Sequence, residues 1–349
     1  MNQIEIVADF ENLDKAGRRV CTCNVGKIST SKYKLHSLEG IDRLQKLLLS
    51  RKYTMESYIA FRVTYPKPRE VQACAFRDKI VQYSLTKNVL FPIANKHLIT
   101  DNYASREGMG TLYAVNRFKD KLFNYYQHYG NEGYILKIDV KKFFYSINHT
   151  ILKEQMRNYK FDDSVLWLID LIIDSICHEV RNGVEYGVPI GNQTSQFFAV
   201  QYINKIDHFI KDQLGIKYYG RYMDDSYILL NSKQQLHEIK SLVTEEYNKL
   251  DLKLNGKTQI QPIRNGITFL GKRFSISSTG KITDRLCSRN IQHRYKAIRQ
   301  NRQRVSNDEM TEKEYWASFA AWNGYAKHSD TFKIRKRLYD YAKEELSKC

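Results

Sequence analysis

Proline is scarce, with five in 349 residues, and no glycine- or serine-rich tract interrupts the chain. No flexible linker or low-complexity segment is therefore expected. No segment recurs at a fixed period, which excludes a solenoid or a propeller. The six cysteines, Cys21, Cys23, Cys74, Cys177, Cys287 and Cys349, form no paired CxxC sets, so a zinc site is not expected. The opening MNQIEIVADFENLD is acidic and lacks the basic and apolar regions of a secretory signal, so reduced thiols are expected. The most apolar run, Leu166 to Ile176, is too short to span a bilayer and contains Asp170 and Asp174. The expectation is a soluble cytoplasmic protein with no membrane partner.

What is abundant is positive charge. Lys and Arg number 56 against 38 Asp and Glu, a formal net charge of +18. An excess of that size attracts a polyanion, because each neutralised phosphate releases counterions; a merely basic soluble protein is the bland alternative. The 25 Tyr and 16 Phe can stack on bases, although most rings serve a core. Hydrophobic residues make up 42%, enough to exclude wholesale disorder. The length suits two or three subdomains around a shared cleft.

Along the chain, Tyr58 to Ala75 alternates apolar and polar residues around a Pro-Lys-Pro turn and predicts a β-hairpin. Phe76 to Asn88 has helical periodicity. Tyr134 to Val140 predicts a buried strand. His149–Tyr159 and Asp163–Ile176 predict helices, with Asp163 as N-cap, and Thr194–Leu214 predicts a longer helix. YYGRYMDDSYILL predicts two strands around Met223-Asp224-Asp225. Lys233–Leu250 predicts an amphipathic helix, and Thr258–Ile263 and Thr268–Ser275 predict strands. This order matches a split βαβ, ferredoxin-like pattern. From Arg285 onward the chain reads as helical and basic, with Arg285, Arg289, Arg294, Lys296, Arg299, Arg302 and Arg304 within 20 residues. Such a run serves either a solvated face or a nucleic-acid backbone.

The adjacent carboxylates Asp224 and Asp225 at a hairpin turn raise each other's pKa unless a cation neutralises them; an ordinary Asx-rich turn is the alternative. Asp139 ends the predicted strand YILKIDV, which a ferredoxin-like sheet lays beside that hairpin. Three converging carboxylates suit Mg²⁺, and two ions about 3.5–4 Å apart can clamp the attacking and leaving oxygens of an in-line displacement. The residues alone thus lead to metal-dependent phosphoryl or nucleotidyl transfer.

IDVKKFFYSI (138–147), GVPIGNQTSQFFAVQYINKIDHFI (187–210) and YMDD (222–225) resemble successive blocks of reverse transcriptases. Lys257-Thr258 and Phe269-Leu270-Gly271 resemble the two blocks that follow, and PKPREVQACAFRDKIVQYSL (66–85) resembles the fingers segment. The resemblance implies an α+β, right-hand polymerase with fingers, a ferredoxin-like palm and a helical thumb. It assigns an N-terminal extension to 1–57, fingers to 58–133, a palm to 134–283 with fingers helices inserted at about 148–186, and a basic thumb to 284–349. It implies that Asp139, Asp224 and Asp225 bind two Mg²⁺ ions, with Mn²⁺ as a substitute, and that Lys257 protonates the leaving pyrophosphate. Phe144 corresponds to the steric gate that favours dNTP over NTP. Arg69 and Lys67 correspond to fingers groups on the incoming triphosphate, and Arg77 to a more structural basic position. Ile190, Gly191 and Gln196 belong to the nucleotide-facing block. Tyr222, Met223, Arg289, Arg294 and Arg299 are expected on the nucleic acid.

Many reverse transcriptases carry Gln-Gly…Ser-Pro in that second block. Here Ile190 replaces the Gln and Gln196 the Pro. An aliphatic residue cannot donate the lost hydrogen bond, so base discrimination is expected to loosen. This form, RDKIVQYSL, the Tyr103-Ala104-Ser105-Arg106 segment with Gly110-Thr111, and SFAAWNGYAKHSDT (318–331) resemble the enzymes of bacterial diversity-generating retroelements, which copy a template RNA unfaithfully at adenines. The resemblance implies template RNA, primer, cDNA product and dNTP as partners, with a structured noncoding RNA and a small basic accessory protein or a homo-oligomer. The alternatives are a related reverse transcriptase of bacterial antiviral defence with a dedicated noncoding RNA, and an RNA-binding protein that keeps an inactive polymerase fold. The intact acidic triad argues against the last.

Overall fold

Period-2 alternation between Tyr58 and Ala75 yields the expected hairpin. Ile59–Val63 pairs antiparallel with Arg69–Ala73, from Ile59 opposite Ala73 to Val63 opposite Arg69. The computed structural model describes residues 2–24, 26–63 and 68–348, so the hairpin's connection, Lys67 included, lies outside the described residues. Contacts divide the chain into two units: Met1–Met109, Ile138–Ser226 and Ile239–Thr258 form the first, and Gly110–Lys137, Tyr227–Glu238 and Gln259–Cys349 the second.

In the first unit, the N-terminal segment forms helices Gln3–Ala8, Phe10–Cys23, Ile28–Leu35 and Ser37–Leu49. Asp9 caps the second of these, its side chain accepting the Asn12 N–H, which satisfies one of the orphan donors of a helix start. The Tyr33 hydroxyl lies so close over Gly17 that a Cβ there would overlap it. Helix Phe76–Leu85 runs through a π turn, Thr86–Leu90, into Phe91–Ala94. Its wholly buried Asp78 accepts hydrogen bonds from the Tyr53 hydroxyl (2.6 Å) and the Glu56 N–H (3.0 Å).

The two helices expected after Asn148 are His149–Arg157 and Asp163–Asp174. The cap of the second is Asp162 rather than Asp163, because the Asp162 carboxylate accepts the Val165 N–H. The long helix expected over Thr194–Leu214 is broken: Gln193–Tyr202 and Asn204–His208 are α-helical, and Phe209–Gln213 is a π segment.

A four-stranded sheet has the order Tyr219–Tyr222, Asp225–Leu230, Tyr134–Ile138, Gln259–Pro262. Numbered by chain position, that order is 2-3-1-4, the ferredoxin-like arrangement expected from the element sequence. Tyr134 lies opposite Pro262 and Lys137 opposite Gln259, antiparallel. Helix Lys233–Lys249 follows the hairpin as expected.

In the second unit, helix Thr111–Tyr129 presents Phe118 to Tyr227, Phe269 and Phe274, with ring centroids 4.6–5.1 Å apart. The strand expected over Thr268–Ser275 is two strands, Ile267–Phe269 and Lys272–Ile276, joined at Leu270 and Gly271 with φ of 47° and 76°. Two successive left-handed residues make the tight hairpin turn whose twist suits flanking strands. The basic helical region begins later than expected, since Arg285 sits in the strand Ile282–Leu286. Helices Ser288–Ser306, Glu312–Ala326 and Phe332–Leu346 then enclose a core of Ile298, Tyr315, Phe319, Leu338 and Ala342. Among the described residues, no helix is long and apolar enough to cross a membrane.

Candidate active site

The YMDD turn is held from inside. Tyr219 and Arg221 are buried, and Met223 takes the left-handed conformation at φ 55°, which a long side chain adopts only under local constraint. The constraint is visible. Arg221, wholly buried, donates from Nη1 to the Met223 carbonyl (2.9 Å) and from Nη2 to the Val200 carbonyl (3.0 Å). Its Nε donates to Asp207 Oδ1 (2.7 Å), and its Nη2 pairs with the other carboxylate oxygen. The Tyr219 hydroxyl also donates to Asp207. A buried charge is tolerable only when fully paired; here Asp207 neutralises the guanidinium and leaves donors to fix the turn. Burial and the Asp207 carboxylate raise the Tyr219 pKa, and Asp207 keeps Arg221 firmly protonated against its burial. Tyr222 and Met223 pack against Leu98, Ala104 and Val200. Neither Arg221 nor Asp207 was identified as functional from the sequence; the available signal was one arginine inside an otherwise apolar strand run.

Asp139 follows the last residue of strand Tyr134–Ile138. Its N–H donates to Thr258 Oγ1 (3.1 Å), and its carbonyl accepts from the Asn255 N–H (2.7 Å) and the Thr258 hydroxyl (3.2 Å). Its backbone is therefore fixed on both sides. Asp224 lies at the hairpin tip and Asp225 opens the next strand. Burial raises the Asp224 pKa above 3.8, the Asp139 charge adds to the rise, and Arg69 and Arg221 oppose it. Asp139, Asp224 and Arg69 thus share one electrostatic neighbourhood. The burial that disfavours the ionised Asp224 carboxyl, beside the Asp139 charge, is a penalty that a hard divalent cation would remove.

The remaining expected site residues divide by placement. Arg69 is exposed on its hairpin strand. Arg77 is engaged locally: it donates to the Thr54 carbonyl (2.6 Å), pairs with Glu56 (2.9 Å) and lies over the Tyr53 ring. Phe144 is half-buried and edge-on to the buried Phe143. Its carbonyl accepts the Val188 N–H (2.9 Å), tying it to the segment that carries Ile190 and Gly191. The Ile190 carbonyl accepts from Gln72 (3.4 Å), and a Cβ on Gly191, whose φ is 120°, would lie 3.1 Å from Val71. This segment therefore abuts the hairpin that carries Arg69. Lys257 is exposed, one residue before Thr258. Gly191 and Gln196 border a cavity of about 770 Å³ whose wall includes Arg19, Lys79, Lys87 and Arg106; Lys79 and Arg106 fall in segments that carry the family resemblance, whereas the sequence marked neither Arg19 nor Lys87.

In the second unit, Arg289 and Arg299 are exposed. Arg294 corrects the expectation of a nucleic-acid contact: it is buried over Phe319 (5.1 Å) and Trp322 (5.7 Å) in the helical core. It faces inward because its long stem and planar head pack well on rings.

Residues 65–274 match the family described as reverse transcriptase (RNA-dependent DNA polymerase). No curated protein matches the chain. Among solved structures, a telomerase from Candida albicans in complex with a TWJ fragment of telomeric RNA is similar at 9% identity and a TM-score of 0.49, over 85% of this chain and 62% of that one. The chain thus spans less than two thirds of that telomerase chain.

Proposed function

Since the chain belongs to the reverse transcriptase family, RNA-dependent DNA polymerases with a right-hand fold of mixed helix and sheet, we propose that it extends a primer on an RNA template with Asp139, Asp224 and Asp225 as its catalytic carboxylates, in a bacterial diversity-generating retroelement. The observation that supports the assignment most is that strand Tyr134–Ile138, which Asp139 follows, pairs directly with strand Asp225–Leu230, which Asp225 opens. Burial and the Asp139 charge raise the Asp224 pKa, and Arg69, a cation suited to a triphosphate, opposes the rise.

The three carboxylates would hold two Mg²⁺ ions, which supply charge neutralisation and an acidified primer hydroxyl. The primer 3′-oxygen attacks the α-phosphorus of a dNTP; its bond forms as the bond to pyrophosphate breaks, and the hydroxyl proton leaves to solvent. Arg69, with Lys67, orients the triphosphate, and Lys257 gives a proton to the departing pyrophosphate. Phe144 stands beneath the sugar and rejects a 2′-hydroxyl. Ile190 and Gly191 form the floor beside Val71, where Ile190 offers the incoming base no side-chain hydrogen bond. That absence is the reason for the error-prone reading, and hence for the retroelement assignment over antiviral defence. Partners on this reading are template RNA, primer, cDNA and dNTP, with a structured noncoding RNA and a small basic accessory protein.

Primer extension on a defined RNA tests the reading. Errors should concentrate at template adenines, and Phe144→Ala should increase ribonucleotide incorporation. Adenine errors no more frequent than those at other bases would remove the retroelement reading, and unchanged sugar selectivity would remove the gate.

A further inference from the structure

We propose that His149, Asp174 and Glu185 form a separate divalent-cation site, of the type that takes Zn²⁺, and that it pins the segments around Phe144. The three residues come from different elements: His149 opens helix His149–Arg157, Asp174 ends helix Asp163–Asp174, and Glu185 lies in strand Val184–Tyr186. Their candidate ligand atoms all lie within 4.8 Å of one another.

The histidine is what makes this more than an acidic cluster. His149 is buried, with 3% of its surface exposed. Its Nε2 lies 2.7 Å from the Gly187 carbonyl. A carbonyl only accepts, so Nε2 carries a proton, and in the neutral form of the ring Nδ1 keeps its lone pair. That atom has no hydrogen-bond partner, yet it faces Glu185 Oε2 at 3.5 Å and Asp174 Oδ1 at 3.7 Å. These separations are too long for hydrogen bonds. They are close to the edge of a tetrahedron, about 3.4 Å, set by zinc–ligand bonds of about 2.0–2.2 Å. Histidine ligands whose other nitrogen donates to a carbonyl are oriented in this way for metal.

Charge and access agree. Lys153 Nζ sits against both Asp174 oxygens, donating to Oδ2 (2.6 Å) and lying 2.5 Å from Oδ1, so an ion would share Oδ1 with it; two carboxylates, one lysine and a neutral imidazole would carry a net negative charge. The Asp174 and Glu185 side chains are 44% and 47% exposed, so an ion can enter and keep a water as its fourth ligand. His178, whose pKa is lowered chiefly by burial, also feels His149, but its backbone N–H is bound to the Tyr186 carbonyl. The chief competitor is a proton on Nδ1, making an imidazolium between the two acids.

The site's consequence is local. Gly187, whose carbonyl holds His149, donates its N–H to the Ile147 carbonyl (2.8 Å), and the next residue, Val188, donates to Phe144 (2.9 Å). A cation on the three ligands would brace the hairpin in which Glu179–Arg181 pairs antiparallel with Val184–Tyr186 and, through Gly187, the backbone of Phe144.

The test uses the full chain carrying Asp224→Ala and Asp225→Ala, so that the hairpin carboxylates cannot contribute. After chelator treatment it is titrated with Zn²⁺ by calorimetry and with Co²⁺ by visible absorption. One equivalent of each should bind, Co²⁺ should give the absorption of a four-coordinate ion, and Zn²⁺ should raise the Tm by roughly 2–4 °C. Adding Asp174→Asn and Glu185→Gln, shape-preserving changes at half-exposed positions, should abolish all three signals while circular dichroism stays the same. Absence of stoichiometric binding, or binding undiminished by these two changes, overturns the site. None of these readouts depends on polymerisation, so failure here leaves the catalytic reading intact.

Discussion

Burial and the Asp139 charge both push Asp224 towards its protonated form, which fixes the sign of its pH effect. A carboxyl whose folded pKa lies above the unfolded 3.8 binds protons more tightly in the folded state. Its contribution to stability is therefore fully present below 3.8 and is lost as pH rises through the raised value. In chelator, Asp224→Asn should be more stable than the wild type by a margin that grows as pH rises above 3.8, read from thermal unfolding across pH. A margin independent of pH would show that Asp224 ionises freely. The placement of the three acids at strand ends was legible in the sequence, from YMDD and IDVKKFF, and the strands Tyr134–Ile138 and Asp225–Leu230 end and begin beside Asp139 and Asp224. The direction of a single side chain was not legible: Arg289, Arg294 and Arg299 belong to one charge run, yet only Arg294 turns inward onto Phe319 and Trp322, since composition and sign do not encode which face of a helix meets aromatic neighbours.

The hairpin Tyr219–Leu230 illustrates what an element adds to its residues. Its strands were readable from apolar runs, but its rigidity comes from Arg221 and Asp207, 14 residues apart, and no local pattern announces that pairing. Replacing Arg221 with Ala leaves Asp207 and the Val200 and Met223 carbonyls without their buried partner. The expected loss is about 3–5 kcal/mol of folding stability, measured by urea unfolding; a loss below about 1 kcal/mol would mean the turn holds itself. Two other elements departed from expectation for similar reasons. The break after Tyr202 places a one-residue irregularity inside a periodic helix, and the Leu270-Gly271 turn divides a run that alternation alone reads as continuous. Asp162 rather than Asp163 caps its helix because an N-cap is chosen by backbone geometry, and two adjacent aspartates satisfy the sequence rule equally.

Over the whole molecule, the net charge of +18 predicts RNA binding that weakens steeply with salt. Among the exposed basic residues of the C-terminal run, which also include Arg285, Lys296 and Arg304, Arg289 and Arg299 are the pair proposed to contact phosphate. Converting both to Ala should weaken RNA binding uniformly across sequences and reduce the slope of log affinity against log salt by roughly 1–2; an unchanged slope would place the RNA elsewhere. The most direct test of the catalytic assignment is single-turnover primer extension by Asp139→Ala at saturating Mg²⁺, paired with the Kd of the same primer–template. The account predicts that extension falls by more than about 10³ while the Kd holds. Extension by this variant at the wild-type rate would contradict it.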